Sequence, residues 1–256
     1  MAREVGQLYR AARVVIRPVF GALWRLRAVG LENVPTEGPA IIAANHASVI
    51  DSFFLPLVLP RRITFVGKAE YLDSWKTRRL FPALGMIPID RSGGDAAERA
   101  LEAAAGLLEA GELFGIYPEG TRARDGLLHK GYTGAARLAC STGAPIVPVG
   151  ILGTRSIQPP DAALPRPFRP AEIRFGRPID PQRYPGRGGR KLRYRQITDE
   201  LMYEIRALTD QDYVDDYATK RAPATDRTTS RAVDLEESAP RSSAEVLTAA
   251  PSPDAA

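Results

Sequence analysis

The sequence predicts an α/β fold, a single domain whose mixed, mostly parallel sheet is flanked by helices. Short apolar runs bounded by Pro and Gly alternate with longer helical patterns along the chain. Polar clusters recur just past the ends of the predicted strands, where ligands bind in open α/β sheets. The 256 residues are 44% hydrophobic, which is enough for one substantial core.

Residues 1–28 predict one or two amphipathic helices that lie at a membrane surface. Apolar residues recur at three- and four-residue spacing from Val5 to Trp24, and Trp24 suits a membrane interface. Pro18 is expected to kink the segment. Arginines interrupt the apolar stretch that a signal peptide or a spanning helix needs, so we expect neither. An ordinary surface helix packed on its own domain stays open as an alternative.

A globular domain is predicted at residues 29–217, and its first half alternates strands with helices. The predicted strands are Pro39–Ala44, Ile63–Val66 and Gly85–Ile89. A first helix is expected from an N-cap at Ser48 to about Leu59, since Pro60 then closes it. A second begins at a capping box of Asp95 and Glu98 and ends near Ala110, with Gly111 as its C-terminal glycine.

The second half continues the same alternation. Strands are predicted at Leu113–Tyr117, Ile146–Ile151 and Glu172–Phe175, with helices at 132–142 and from Arg193 to about Asp216. From Ala222 onward, aromatic residues are absent and Ala, Pro, Ser and Thr dominate. Residues 218–256 therefore predict a disordered tail.

Charge and cysteine content limit the classes of function. The net charge is +5, but residues 222–256 contribute −3, so residues 1–221 carry about +8, a balance that attracts phosphate groups. One cysteine, Cys140, excludes an internal disulfide, and two histidines leave no cluster with metal-ligand spacing. We expect no metal and no bound cofactor. Cys140 is expected to pack in the core, and His129, without a recognisable acidic partner, to lie at the surface.

His46 and Asp51 form the first candidate catalytic pair. Five residues of continuous helix rotate by about 500°, so the two side chains would diverge by roughly 140° if both were helical. His46 is therefore expected in the strand-to-helix turn, with Asp51 in the first helical turn. The carboxylate could then hold one imidazole nitrogen and leave the other free as a base. A purely structural capping role for Asp51 stays open.

A second polar cluster, Glu119-Gly120-Thr121-Arg122, follows a predicted buried strand and is expected at the rim of the sheet. Gly120 permits a tight turn, and the Arg122 guanidinium can bind phosphate in bidentate fashion. Lys68 and Arg91 follow two other predicted strands and add cations. Each cation taken alone is also compatible with a solvated surface charge.

Four segments resemble, in order and spacing, the sequence blocks of the glycerolipid acyltransferase family, especially the 1-acyl-glycerol-3-phosphate (lysophosphatidic acid) acyltransferase type. They are His46-x-x-x-x-Asp51, Gly85-x-Ile87-x-Ile89-Asp90-Arg91, Tyr117-Pro118-Glu119-Gly120-Thr121-Arg122 and Ala144–Val149. The resemblance spans roughly residues 25–180.

The resemblance implies transfer of an acyl group from acyl-CoA or acyl carrier protein to the sn-2 hydroxyl of a lysophospholipid acceptor, giving phosphatidic acid. His46 would be the base and Asp51 its orienting carboxylate. The implied substrate-binding residues are Lys68, Arg91, Glu119, Gly120, Thr121 and Arg122, with Glu119 organising the arginine-bearing turn. The expected location is the cytoplasmic face of a membrane, as a peripheral or monotopic protein.

Two alternatives stay open at this stage. The first keeps the chemistry but uses another lysophospholipid or a glycolipid as acceptor. The second is a non-catalytic protein that binds anionic membranes. Nucleic acid is not an expected partner, because no recognition motif or platform of interleaved aromatic residues is present.

Overall fold

A seven-stranded sheet organises the part of the chain that the computed structural model describes. That part comprises residues 18–68, 86–89, 96–185 and 188–219, and at 66–68 and 86–89 only the backbone is described. The strands of this sheet are β1 (Arg25–Val29), β2 (Ala40–Ala44), β3 (Ile63–Lys68), β4 (Met86–Ile89), β5 (Leu113–Ile116), β7 (Ile146–Leu152) and β8 (Pro170–Phe175). A separate two-stranded ribbon pairs β6 (Leu128–His129) with β9 (Tyr213–Val214).

The strand order in the sheet is β1-β8-β7-β2-β5-β3-β4. Every neighbouring pair is parallel except β7 and β8, which are antiparallel. The prediction of a mixed, mostly parallel sheet is therefore confirmed. Because β2, β3, β4 and β5 run in the same direction, their carboxyl ends meet at one edge of the sheet.

Helices cover both faces of the sheet, and the central strand β2 sends its side chains alternately to the two layers. The described helices are α1 (Asp51–Val58), α2 (Ala96–Glu109), α3 (Gly134–Thr142), α4 (Thr154–Ile157) and α5 (Arg190–Thr209). Ile42 and Ala44 pack in one core cluster with Phe54 of α1, whereas Ile41 and Ala43 pack in the other with α2, α3 and α5. All five residues of β2 are buried, as expected for a central parallel strand.

Two predicted helix boundaries differ from the structure. Helix α1 begins at Asp51, two residues later than an N-cap at Ser48 implies, although Ser48 Oγ accepts from the Ile50 N–H at 3.4 Å. The Ser48 N–H also donates to Asp51 Oδ2 at 2.8 Å, as in a capping box, and the Ser48 hydroxyl donates to the Gln158 carbonyl at 2.9 Å. Helix α5 ends at Thr209 rather than near Asp216. Asp210 adopts a left-handed conformation with φ of 57°, and the chain then pairs as β9. Ribbon pairing therefore replaces the last predicted turns of helix.

The N-terminal prediction is tested only in part. Residues 1–17 lie outside the described residues, and residues 18–23 are helical. The next five residues form β1, not helix. Trp24 is 5% exposed, packs against Phe20 and Phe54, and donates from Nε1 to the Arg166 carbonyl at 2.8 Å. The expectation that Trp24 lies at a membrane interface is wrong, because aromatic packing and this hydrogen bond bury it.

Within the described ranges, none of the helices has both the length and the apolar character that crossing a bilayer requires.

Candidate active site

The turn between β2 and α1 brings His46 and Asp51 into direct contact. His46 Nδ1 lies 3.0 Å from Asp51 Oδ2, and the Asp51 side chain is completely buried whereas 15% of the His46 side chain is exposed. His46 precedes the helix and Asp51 is its first residue, as the rotation argument predicted. Among the described residues, His46 Nε2 has no hydrogen-bond partner, so this nitrogen is the one available to a substrate.

The carboxylate of Asp51 also fixes the backbone of the turn. Its Oδ2 atom accepts hydrogen bonds from the Ala47 N–H at 2.9 Å and the Ser48 N–H at 2.8 Å, in addition to its contact with His46. Two backbone dipoles and the imidazole thus offset the burial of this charge. With Nδ1 held as the donor to Asp51, the imidazole is kept in the tautomer whose Nε2 can accept a proton.

Tyr117 stacks on the imidazole of His46, a role that the sequence did not indicate although Tyr117 opens the block that contains Glu119 and Arg122. The ring centroids are 3.9 Å apart with an interplanar angle of 11°, and the Tyr117 hydroxyl lies 2.9 Å from Ser52 Oγ. Burial of the hydroxyl, and then the nearby Asp51 charge, raise the pKa of Tyr117 far above its usual value, although the Ser52 hydrogen bond opposes this. Tyr117 is therefore a neutral aromatic support for the ring and not a base.

Glu119 links two loops through its two carboxylate oxygens. Oε1 accepts from the His46 backbone N–H at 3.1 Å, and Oε2 accepts from the His129 backbone N–H at 3.0 Å. The residue is 1% exposed. Burial raises the pKa of Glu119 to about 7, although both backbone hydrogen bonds favour the ionised form. The carboxylate of Glu119 therefore faces the protein backbone and positions the turn that carries His46.

The raised pKa of Glu119 predicts a specific dependence of stability on pH. Its folded pKa lies above the ordinary value of 4.5, so the folded state retains the proton longer than the unfolded state. The free energy of unfolding should therefore fall as pH rises from about 4.5 to 7, by about 3 kcal/mol from this group. Relative to Glu119→Gln, which does not titrate, the wild type should lose this amount between acidic and mildly alkaline pH.

Denaturant unfolding of both proteins across this pH range measures the difference. Glu102→Gln, at an exposed position of α2, removes one acid without touching the site and should follow the wild-type curve. If the wild-type and Glu119→Gln curves ran parallel, Glu119 would not titrate in this range.

The segment after Glu119 turns tightly and returns to the His46 turn. Gly120 has φ of 71°, and a Cβ placed there would lie 3.1 Å from the ring of Tyr132, so the position requires glycine. The Ala123 N–H donates to the His46 carbonyl at 2.7 Å. This bond places the backbone of Thr121 and Arg122 beside the turn that carries His46. Arg122 is half-buried and forms no ion pair with any described residue.

The remaining predicted cations are placed only at the level of the backbone, or not at all. Lys68 is the last residue of β3, at the same sheet edge as the end of β5, and its side chain is not described. Arg91 lies outside the described residues, two positions beyond the end of β4. The topology thus brings the carboxyl ends of β3 and β4 to the sheet edge that carries His46.

His129 is not the isolated surface residue that was predicted. Its Nε2 lies 3.0 Å from Asp125 Oδ2, and 13% of its side chain is exposed. The prediction missed Asp125 because the four-residue spacing lies in a turn, where Gly126 has φ of 92°, and not in a helix. Cys140 is partly buried against the second core cluster, and burial raises the pKa of its thiol. In the described ranges, no three His, Cys, Asp or Glu side chains are placed to hold a metal ion.

The chain is similar to known proteins in sequence and in fold. A family model described as Acyltransferase matches residues 25–152, half of the chain. The chain is 32% identical over 141 residues to the chloroplastic 1-acyl-sn-glycerol-3-phosphate acyltransferase LPAT1 of Arabidopsis thaliana, covering 53% of this chain and 38% of that protein. It is also 32% identical to 1-acyl-sn-glycerol-3-phosphate acyltransferase alpha of Homo sapiens, covering 49% of this chain and 44% of that protein. The chain thus spans less than half the length of these curated relatives.

A bacterial relative and a solved structure extend the likeness over more of the chain. A Bacillus subtilis protein named 1-acyl-sn-glycerol-3-phosphate acyltransferase is 25% identical, covering 58% of this chain and 73% of that protein. The crystal structure of the 1-acyl-sn-glycerophosphate (LPA) acyltransferase PlsC from Thermotoga maritima superposes with a TM-score of 0.61 at 24% identity, covering 80% of this chain and 77% of that one. This superposition supports the fold.

Proposed function

Because the chain belongs to the Acyltransferase family, we propose that it transfers a fatty acyl group from an acyl thioester to the sn-2 hydroxyl of 1-acyl-glycerol-3-phosphate. The product would be phosphatidic acid, made for phospholipid synthesis. The observation that carries the proposal is the 3.0 Å contact between His46 Nδ1 and the buried Asp51, which leaves Nε2 free. The names of the relatives support lysophosphatidic acid as the acceptor.

The chemistry needs one base and no covalent enzyme intermediate. His46 Nε2 takes the proton of the acceptor hydroxyl as its oxygen attacks the thioester carbonyl. Asp51 stabilises the imidazolium that forms, and the stacked Tyr117 ring keeps the imidazole in its plane. When the carbon–sulfur bond breaks, the thiolate leaves with the proton from His46, and the neutral imidazole is restored.

The acceptor phosphate is assigned to the cations at the same edge of the sheet. Arg122 has no ion-pair partner among the described residues and immediately precedes Ala123, whose N–H donates to the His46 carbonyl, so the Arg122 guanidinium is the principal phosphate ligand in this proposal. Lys68 and Arg91 are proposed as further cations, and Gly120 and Thr121 as the backbone that approaches the ligand. The donor is acyl-CoA or acyl carrier protein, and the reaction requires no other cofactor. The proposed location is the cytoplasmic face of a membrane.

The proposal is tested by thiol release from palmitoyl-CoA with purified protein, with and without lysophosphatidate, and with the products identified by mass spectrometry. Phosphatidate that forms only when both substrates are present is the expected result. If the protein acylated another lysophospholipid or a glycolipid but not lysophosphatidate, the proposed reaction would hold with a different acceptor. Thiol release with no acceptor at all would contradict direct transfer. No turnover with any donor or acceptor would favour a non-catalytic membrane-binding protein.

A further inference from the structure

Three large apolar side chains are exposed in two adjoining segments of the fold. Leu164 and Phe168, in the loop at 159–169, are 79% and 71% exposed, and Val19, in the helical segment at 18–23, is 50% exposed. The loop and the segment are joined by two hydrogen bonds. The Phe168 N–H donates to the Leu23 carbonyl at 2.6 Å, and Trp24 Nε1 donates to the Arg166 carbonyl at 2.8 Å. The segments that carry the three exposed side chains are therefore adjacent at the surface.

Arginines flank these apolar side chains. Arg25, Arg166 and Arg169 are all exposed, and none of them forms an ion pair with a described residue. Arg25 is the register partner of Pro170, the residue after Arg169, so the two segments adjoin here as well. We call these six residues the arginine-flanked apolar patch: Val19, Leu164, Phe168, Arg25, Arg166 and Arg169. The two segments together, 18–29 and 159–170, carry four arginines and one aspartate, Asp161, which pairs with Arg124.

The loop presents its apolar side chains on a stiff backbone. Residues 159–169 contain four prolines, which restrict the chain before any binding occurs. Phe168 has φ of 60°, a left-handed conformation that is strained for a residue with a Cβ. The protein holds this conformation through the Phe168 N–H bond to Leu23, yet the Phe168 ring remains mostly exposed. An exposed aromatic ring on a strained, tethered backbone indicates a functional constraint rather than a packing one.

The patch connects directly to the candidate active site. Gln158, the residue before the loop, accepts a hydrogen bond from Ser48 Oγ, two positions after His46. The helical segment packs through Phe20 on Phe54 of α1, the helix that begins with Asp51. The two segments of the patch are thus joined, through Gln158 and Phe20, to the turn and the helix that carry His46 and Asp51.

We propose that the arginine-flanked apolar patch inserts into an anionic phospholipid bilayer and sets the depth at which the chain meets its lipid acceptor. Leu164 and Phe168 would enter the boundary between headgroups and acyl chains, while the three arginines bind headgroup phosphates. A bilayer accepts protruding apolar side chains without a matching pocket, whereas an acidic protein partner would need one, so the features of the patch favour lipid. The statement that the patch sets the depth at which the chain meets its acceptor rests on the proposed function. The statement that the patch binds lipid does not.

The test measures partition of the full chain onto sedimenting vesicles of phosphatidylcholine, with and without phosphatidylglycerol. The double variant Leu164→Ser/Phe168→Ser should bind both kinds of vesicle about tenfold more weakly than wild type. The triple variant Arg25→Gln/Arg166→Gln/Arg169→Gln should weaken binding by about fivefold per arginine on the anionic vesicles only. The matched control is Leu192→Ser/Tyr203→Ser, which removes exposed apolar groups from α5 on the opposite layer and should bind as wild type does.

Unchanged vesicle binding by the Leu164/Phe168 variant would overturn the proposal. If the same variant also captured purified acyl carrier protein more weakly than wild type does, the patch would be assigned to an acidic protein partner.

A soluble short-chain lysophosphatidate separates this proposal from the proposed function. With that acceptor no bilayer is needed, so the Leu164/Phe168 variant should retain the wild-type rate. The wild type could instead be inactive on this acceptor and still bind vesicles through the patch. That result would contradict the proposed function and support the proposal that the patch binds lipid.

Discussion

Replacing His46 with alanine is expected to lower kcat for acyl transfer by about 10²- to 10⁴-fold. In the described part of the chain, the His46 imidazole is the only ring that contacts Asp51 through one nitrogen and leaves its other nitrogen free. Its loss leaves the acceptor hydroxyl without a base, because the Tyr117 hydroxyl is neutral and buried against Ser52. Folding should change little, since the turn remains fixed by the bonds from Ala47 and Ser48 to Asp51.

Steady-state kinetics with lysophosphatidate and acyl-CoA measure the effect, and thermal unfolding checks the fold. His129→Ala is the matched control, because it removes the other histidine, which pairs with Asp125 and does not contact Asp51. Its kcat should stay within a few-fold of the wild-type value. A His46→Ala protein that is folded and retains nearly full kcat would exclude His46 as the base.

Replacing Arg122 with alanine is expected to raise KM for lysophosphatidate by about 10- to 100-fold, with a smaller effect on kcat. Charge-assisted hydrogen bonds from a guanidinium to phosphate contribute about 1.5–3 kcal/mol, which corresponds to this range. The phosphate takes no part in the bonds that form or break, so its ligand contributes to binding in the ground state and in the transition state alike.

An acceptor without phosphate isolates the contribution of Arg122. With monoacylglycerol as acceptor, wild type and Arg122→Ala should have similar kinetic constants, because the group that Arg122 binds is missing. Arg124→Ala is the matched control in the same loop, since Arg124 already pairs with Asp161 and should leave KM for lysophosphatidate unchanged. An equal loss by Arg122→Ala on both acceptors would show that Arg122 supports the loop and not the phosphate.

The sequence was most informative where local geometry decides the structure. The central strand β2 is a continuous apolar run that follows Gly38 and Pro39 and ends before Asn45, and such a run can be recognised without knowledge of its neighbours. The contact of His46 with Asp51 also follows from a local argument, because both residues lie in one short turn. Both features follow from residues close together in the sequence and need no tertiary contact.

The features that were missed depend on partners distant in sequence. Tyr117 reaches His46 only through the register of β5 beside β2, which pairs Ile116 with Ala43. Strand β1 is a short alternating segment that directly follows helical residues, and its structure is set by pairing with β8, about 145 residues later along the chain. Glu119 could be identified as important, but its contacts with two backbone N–H groups could not.

Strand β1 also has a mechanical consequence. The chain leaves the helical segment at 18–23 and enters the sheet at once, where five register pairs join β1 to β8 in parallel. A pull on the N-terminal segment along the strand would load these five pairs together, in shear, instead of opening them one after another. Force on the N-terminal segment would thus be carried to β8 by all five pairs at once, and β1 would resist separation from the sheet.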